Sequence, residues 1–195
     1  MVELDEATLE RVRREKAELG GALEDSAARR LWKGPFLMPA EGRISSSFGL
    51  RRILNGKPRS PHTGLDIGAP AGRAVRASNS GTVTLTGERY FSGLTVVIDH
   101  GLGLSTMYFH LSEVLVKEGE RVERGQIIGR VGSTGRSTGP HLHWGVWLSG
   151  ARVDPRSLMA ATGAAAETGK TLEAAAEKPG ATSPAATGPA GQPDR

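Results

Sequence analysis

Between Gly34 and Met159 the chain is a succession of short apolar, β-branched runs broken by Gly, Pro, Asn and Ser. The runs are Gly81-Thr82-Val83-Thr84-Leu85, Leu94-Thr95-Val96-Val97-Ile98, Ser105-Thr106-Met107-Tyr108-Phe109, Gln126-Ile127-Ile128-Gly129 and Leu142-His143-Trp144-Gly145-Val146-Trp147. Side chains of this kind fit a pleated, half-buried surface, so each run predicts a strand. No helical periodicity separates them. Strands that follow one another at this spacing predict an all-β fold, an antiparallel β-sandwich or barrel, and the sandwich is the fold class expected here.

The flanks have different patterns. From Asp5 to Trp32, Leu9, Val12, Leu19 and Leu23 are spaced among many Glu, Arg and Ala, which predicts one or two short helices interrupted at Gly20-Gly21. Their apolar stripe is thin, so they are expected to pack on the main domain or on a segment upstream of this sequence rather than to carry chemistry. Beyond Met159 large apolar residues almost vanish, and a segment that cannot bury apolar surface cannot offset its ordering entropy. The expected organisation is a helical segment over 1–30, a β domain over 31–159 and a disordered tail over 160–195, with a marginal helix from Leu172 to Lys178.

With 195 residues the chain has room for one domain with a real core and some additional material. A formal charge of +4 and a pI near 9.8 favour anionic surfaces in general. Basic and acidic residues are interleaved, with no dense Lys/Arg run and no basic strip punctuated by aromatics, so no nucleic-acid partner is expected. There is no cysteine, hence no disulfide and no thiolate metal site; any metal must be held by His and carboxylates. The N-terminus lacks the marks of a secretory signal and no segment has the apolar length of a transmembrane helix. If the protein acts outside the cytoplasm, its export signal is expected upstream of this sequence.

All five histidines lie within the β-rich span: His62, His100, His110, His141 and His143. In Pro61-His62-Thr63-Gly64-Leu65-Asp66 the flanking Pro and Gly disfavour a helix, and in an extended chain positions four apart point to the same face. In His141-Leu142-His143 strand alternation puts both imidazoles on one face. Two imidazoles and one carboxylate, with a fourth position left open, is the ligand count of a catalytic zinc site. His100, after a strand in Ile98-Asp99-His100-Gly101, reads as an ordinary turn residue, as do Asp99 and Asp154. The glycines of residues 132–139 lack a GK[ST] ending and a following helix, so they read as a substrate-facing loop rather than a phosphate loop.

The HxxxD element, Tyr108-Phe109-His110-Leu111 and Gly132-Ser133-Thr134-Gly135-Arg136-Ser137-Thr138-Gly139-Pro140-His141-Leu142-His143-Trp144 together resemble the lysostaphin-type, LytM-like zinc metallopeptidases of peptidase family M23. Ser47-Phe48-Gly49, Gly125-Gln126-Ile127-Ile128-Gly129 and Val153-Asp154-Pro155 fall in the same order, so the resemblance covers most of Gly34 to Pro155. It implies one Zn2+ held by His62, Asp66 and His143, with His110 and His141 lining the site as acid/base groups. It also implies hydrolysis of peptide bonds in peptidoglycan cross-bridges or stem peptides, at a periplasmic, extracellular or cell-envelope location. Imidazole suits the proton transfers, since no HExxH glutamate is present.

Two departures qualify the match. Many relatives carry a glutamate two residues beyond the last ligand, where this chain has Gly145; by strand parity that position shares the face of His141 and His143. No tyrosine precedes His62 closely, and Arg51, Arg52 or Asn55 are the candidates to replace it. The alternative function is a non-catalytic LytM-like regulator of another cell-wall hydrolase, although known regulators of that kind lack some metal ligands. A lipoyl- or biotinyl-like carrier domain is suggested by Val116-Lys117-Glu118-Gly119 and Val122-Glu123-Arg124-Gly125-Gln126, but it gives the clustered histidines no purpose.

Overall fold

The computed structural model describes residues 4–54 and 57–163. One helix, α1 (Glu6–Glu24), precedes twelve strands: β1 (Arg43–Ser46), β2 (Arg52–Leu54), β3 (Lys57–Arg59), β4 (Leu65–Gly68), β5 (Ala74–Arg76), β6 (Gly81–Arg89), β7 (Gly93–Asp99), β8 (Leu104–Val114), β9 (Arg121–Val122), β10 (Ile127–Val131), β11 (His141–Leu148) and β12 (Ala151–Val153). Residues 155–163 are helical. The expected tail and the marginal helix at Leu172 lie outside the described residues, apart from 160–163, which belong to this closing helix.

Ten strands form one sheet whose main path runs β1-β4-β11-β8-β7-β6-β9, and β2 and β3 form a separate ribbon. Every pairing is antiparallel. The sandwich arises because β8 has three partners. Its first part pairs with β11 and β7, whereas Leu111, Glu113 and Val114 pair with β10, which in turn carries β5. The sheet thus folds over on itself. Val75, Ala77, Ile128 and Val131 from the folded-over part meet Leu65, Ile67, Val96, Ile98, Tyr108, Leu142 and Trp144 from the main path in one buried cluster.

The opposite face of the main path is covered at one end by α1. Leu19, Ala22 and Leu23 pack on Leu85, Val97, Met107, Phe109 and Trp147. Asp5 caps the helix by accepting from the Thr8 N–H at 2.7 Å, and it continues through Gly20-Gly21 to Glu24 as a single helix. Two mid-helix glycines cost about 1 kcal/mol each relative to alanine. Burial of the flanking Leu19 and Leu23 offsets that cost, and tertiary packing of this kind routinely overrides propensity.

Asp99 and Asp154 are anchors rather than bare turn residues. Asp99, almost fully buried, accepts from Ser26 Oγ (2.6 Å), Ala27 N (3.0 Å) and Gly101 N (2.9 Å), tying the segment after α1 to the end of β7. Asp154 accepts from the Arg156 N–H at 2.9 Å ahead of the helix at 155–163, with Pro155 at its first turn. His100 is in the core. Its Nδ1 is 2.8 Å from Ser80 O and its Nε2 2.8 Å from Thr106 Oγ1, and Thr106 in turn meets the buried Tyr108 hydroxyl.

Candidate metal centre

Asp66 on β4 and His143 on β11 are direct cross-strand neighbours, and His143 also faces Phe109 on β8. Facing residues of an antiparallel pair hold their side chains side by side on one face, so the ladder itself brings carboxylate and imidazole together. His62 joins them from the segment before β4, held by backbone bonds to Leu50 and Gly49. The result is a tight triangle. His62 Nε2 stands 2.9 Å from Asp66 Oδ1 and 3.1 Å from His143 Nδ1, and His143 Nδ1 is 2.7 Å from Asp66 Oδ1. These are the three residues expected from the sequence, and among the described residues they form the one His/Asp group gathered for an ion, with ligand atoms within 4.8 Å of one another.

The donors suit zinc in identity and preparation. His62 Nδ1 lies 2.9 Å from Ser47 O and 3.1 Å from Ser46 Oγ, so its N–H is committed to the carbonyl and Nε2 carries the lone pair. Burial works to raise the Asp66 pKa, but the close approach of His143 and His62 outweighs it and holds the carboxyl far below its usual range, as the ionised form that a metal takes. Burial pushes His143 down, toward the neutral form that ligates. The His143 ring stacks on Phe109 with centroids 5.4 Å apart and planes 8° apart. On its other side Gly64 closes in: a Cβ there would stand 2.7 Å from His143 Nε2 and 2.6 Å from Trp144 O.

His110 reaches the same face through an irregularity of β8. Leu94 pairs with Leu111 and Val96 with Tyr108, so two residues of β8 oppose one of β7, and His110 within this bulge has φ +62°. The inserted residue resets the alternation. Tyr108 and Leu111 both enter the core between the folded-over parts of the sheet, while Phe109 and His110 both turn to the opposite face, where His143 lies. The ring of His110 lies 4.7 Å from that of His141 and 6.3 Å from that of His143.

Each of the pair has its Nδ1 against a carbonyl oxygen of the loop at 132–139: Thr134 O at 2.8 Å for His110, Gly139 O at 2.8 Å for His141. Both therefore donate through Nδ1 and keep Nε2 for proton transfer. Burial lowers His110 to a pKa of about 4, so it is neutral near pH 7 and able to accept a proton. An open cleft of about 350 Å³ adjoins the site, lined by Ser45, Ser46, Asp66, Gly68, Thr138, Pro140 and His141 among others.

The structure brings together all five residues expected at the site and leaves His100 apart. Arg51 is exposed, while Asn55 lies outside the described residues. The loop at 132–139 holds the two histidines by its backbone. Carbonyl acceptors such as Ser47, Thr134 and Gly139 are invisible to a search by side-chain type; their traces in the sequence are the Ser47-Phe48-Gly49 element and the glycine-rich run at 132–139.

Residues 60–155 match the model of peptidase family M23. The peptidoglycan DD-endopeptidase ShyA of Vibrio cholerae is 43% identical over 131 residues, which is 67% of this chain and 30% of the relative. A zinc-containing peptidase from Vibrio cholerae is similar in structure, with a TM-score of 0.59 and 35% identity over 63% of this chain and 39% of that one. The catalytic domain of the antimicrobial peptidase lysostaphin from Staphylococcus simulans gives a TM-score of 0.54 and 32% identity, covering 60% of this chain and 92% of that domain. The chain spans less than a third of the length of the curated relatives it matches first.

Proposed function

The chain belongs to peptidase family M23, and from that membership we propose that it is a zinc-dependent endopeptidase hydrolysing peptide bonds in peptidoglycan cross-bridges or stem peptides. The observation that carries this reading is the convergence of His62 Nε2, Asp66 Oδ1 and His143 Nδ1 beside a second pair of imidazoles that takes no part in the triangle.

His62, Asp66 and His143 would hold the ion, two neutral imidazoles and one carboxylate leaving room for a further ligand. When bound, zinc supplies Lewis acidity toward a water and toward the scissile carbonyl. His110 and His141 supply the proton chemistry. With Nδ1 of each fixed on a carbonyl, Nε2 takes a proton as the water attacks and returns one to the leaving amine. Phe109 and Gly64 clamp the His143 ring from its two sides, which keeps its Nδ1 on the triangle.

The complete donor set weighs against a non-catalytic regulator, and the gathering of four histidines at one place leaves a carrier domain nothing to explain. Among the described residues no helix is long and apolar enough to cross a membrane. The relative named as a peptidoglycan endopeptidase points to action in the cell envelope, and the positive charge would favour residence on an anionic wall.

Zymography on purified peptidoglycan tests the reading. Clearing is expected with zinc, and its loss with a chelator, with His143→Ala and with His110→Ala. Zinc binding without clearing by the parent protein would replace the enzyme with a regulator, and failure to bind zinc would remove the metal site.

A further inference from the structure

Gly145 lies on β11 two residues beyond His143 and on the same face. A Cβ built there would stand 3.3 Å from Arg152 Nη1 and 3.0 Å from Met107 Cε. Arg152 is on β12, opposite Trp147. Its side chain therefore crosses back over β11, donating to Met107 Sδ at 3.0 Å with the guanidinium carbon 5.6 Å from the centre of the Trp147 ring. It occupies the place into which a side chain at 145 would project.

Neither a thioether nor an indole neutralises a cation. Among the described residues Arg152 has no carboxylate partner, although it is half-buried. A partly desolvated guanidinium with no counter-charge is costly to keep, and burial lowers its pKa, yet arginine stays protonated in proteins. A carboxylate at position 145 would have quenched it. Glycine leaves the guanidinium fork beside β11 on the face that carries the metal triangle, with no side chain at 145 between it and His143.

Two residues of extended strand span about 7 Å, so the fork stands at roughly the reach of two residues of an extended peptide from His143. It lies on the side of His143 away from His141. If His110 and His141 serve the leaving amine, that side receives the acyl portion of the substrate. We infer that Arg152 is a specificity-determining residue that binds a free carboxylate carried by the peptide substrate one or two residues to the acyl side of the scissile amide. This rests on the endopeptidase reading above. A guanidinium recognises a carboxylate through paired, charge-assisted hydrogen bonds that neither lysine nor an uncharged amide reproduces.

The test uses matched cross-linked peptides that differ only in whether that acyl-side group is a carboxylate or its carboxamide. The zinc-loaded parent is expected to show a kcat/KM for the carboxylate form on the order of ten to a hundred times higher, the scale of one hydrogen-bonded charge pair. Arg152→Gln should bring the ratio to about one while leaving the carboxamide rate within a few-fold. Gly145→Glu, which places a carboxylate against the fork, should do the same with Arg152 intact, and thermal melts establish that both variants fold. A ratio near one in the parent, or one that survives in both folded variants, overturns the proposal. A parent that cuts neither peptide and does not clear peptidoglycan overturns the endopeptidase reading itself.

Discussion

Gly64→Ala bears directly on whether the metal triangle is set by backbone packing. An added Cβ would meet His143 Nε2 at 2.7 Å, His143 Cε1 at 2.8 Å and the Trp144 carbonyl oxygen at 2.6 Å. The carbonyl is backbone beside the β4–β11 ladder, and the ring is stacked on Phe109, so neither neighbour can swing aside freely. Ordinary contact is ~3.4 Å, so from 2.7 Å the ring or the strand must move by about 0.7 Å. Metal–ligand distances tolerate about 0.2 Å. The methyl group therefore takes His143 Nδ1 out of ligating position. Expected are a loss of zinc affinity of at least tenfold, in a competition titration against a chelating dye, and a loss of about 1–3 kcal/mol of stability in the metal-free protein. A Gly64→Ala protein that binds zinc within twofold of the parent and melts with it would refute the argument.

Three further outcomes follow from other parts of the structure. His100 is fully buried, and burial lowers its pKa from 6.5 to about 4, so the unfolded chain binds the proton more tightly. Stability is full above pH 6.5 and declines as pH falls toward 4; the loss reaches about 2 kcal/mol by pH 5, and urea unfolding should show a shallower pH slope for His100→Gln than for the parent. Zinc at a hundred times its dissociation constant should stabilise the parent by about 2.7 kcal/mol in the same assay, and His143→Ala should abolish that increment without removing the fold. Asp99→Ala deprives Ser26, Ala27 and Gly101 of their acceptor, so a loss of about 1–3 kcal/mol is expected, with new limited-proteolysis cleavage between α1 and Phe36; an unchanged digest would count against the anchor.

Extended-chain spacing groups His62 with Asp66 and His141 with His143, while the choice of His143 over His141 as the third ligand comes from the resemblance. Pairing of β4 with β11 brings Asp66 to His143, and backbone bonds to Gly49 and Leu50 bring His62 to both. His110 was carried by resemblance alone, for a physical reason. Its placement on the face of His143 depends on a bulge, and parity counted from Tyr108 would have turned it to the other face, into the core around Tyr108. The opposed role of Gly145 and Arg152 was equally out of reach, since the two meet only when β12 folds back along β11. Local rules also failed at Gly20-Gly21, where burial of Leu19 and Leu23 keeps one helix intact, and at 155–163, where Asp154-Pro155 begins a helix at a point read as a turn. His100 reads only as a turn residue after a strand, because its buried hydrogen-bond relay through Ser80, Thr106 and Tyr108 leaves no mark in local composition.

Asp66 and His143 owe their separation to facing each other across two hydrogen-bonded strands, and that distance is the pitch common to every antiparallel ladder. The spacing of these two ligands is therefore inherited from the backbone ladder. Loops other than the two whose carbonyls hold His62, His110 and His141 can be lengthened, shortened or exchanged while Asp66 and His143 keep their spacing. In engineering terms the β4–β11 pair is a chassis, and the loops that hold no site histidine are the bodywork that can be exchanged without rebuilding the metal triangle.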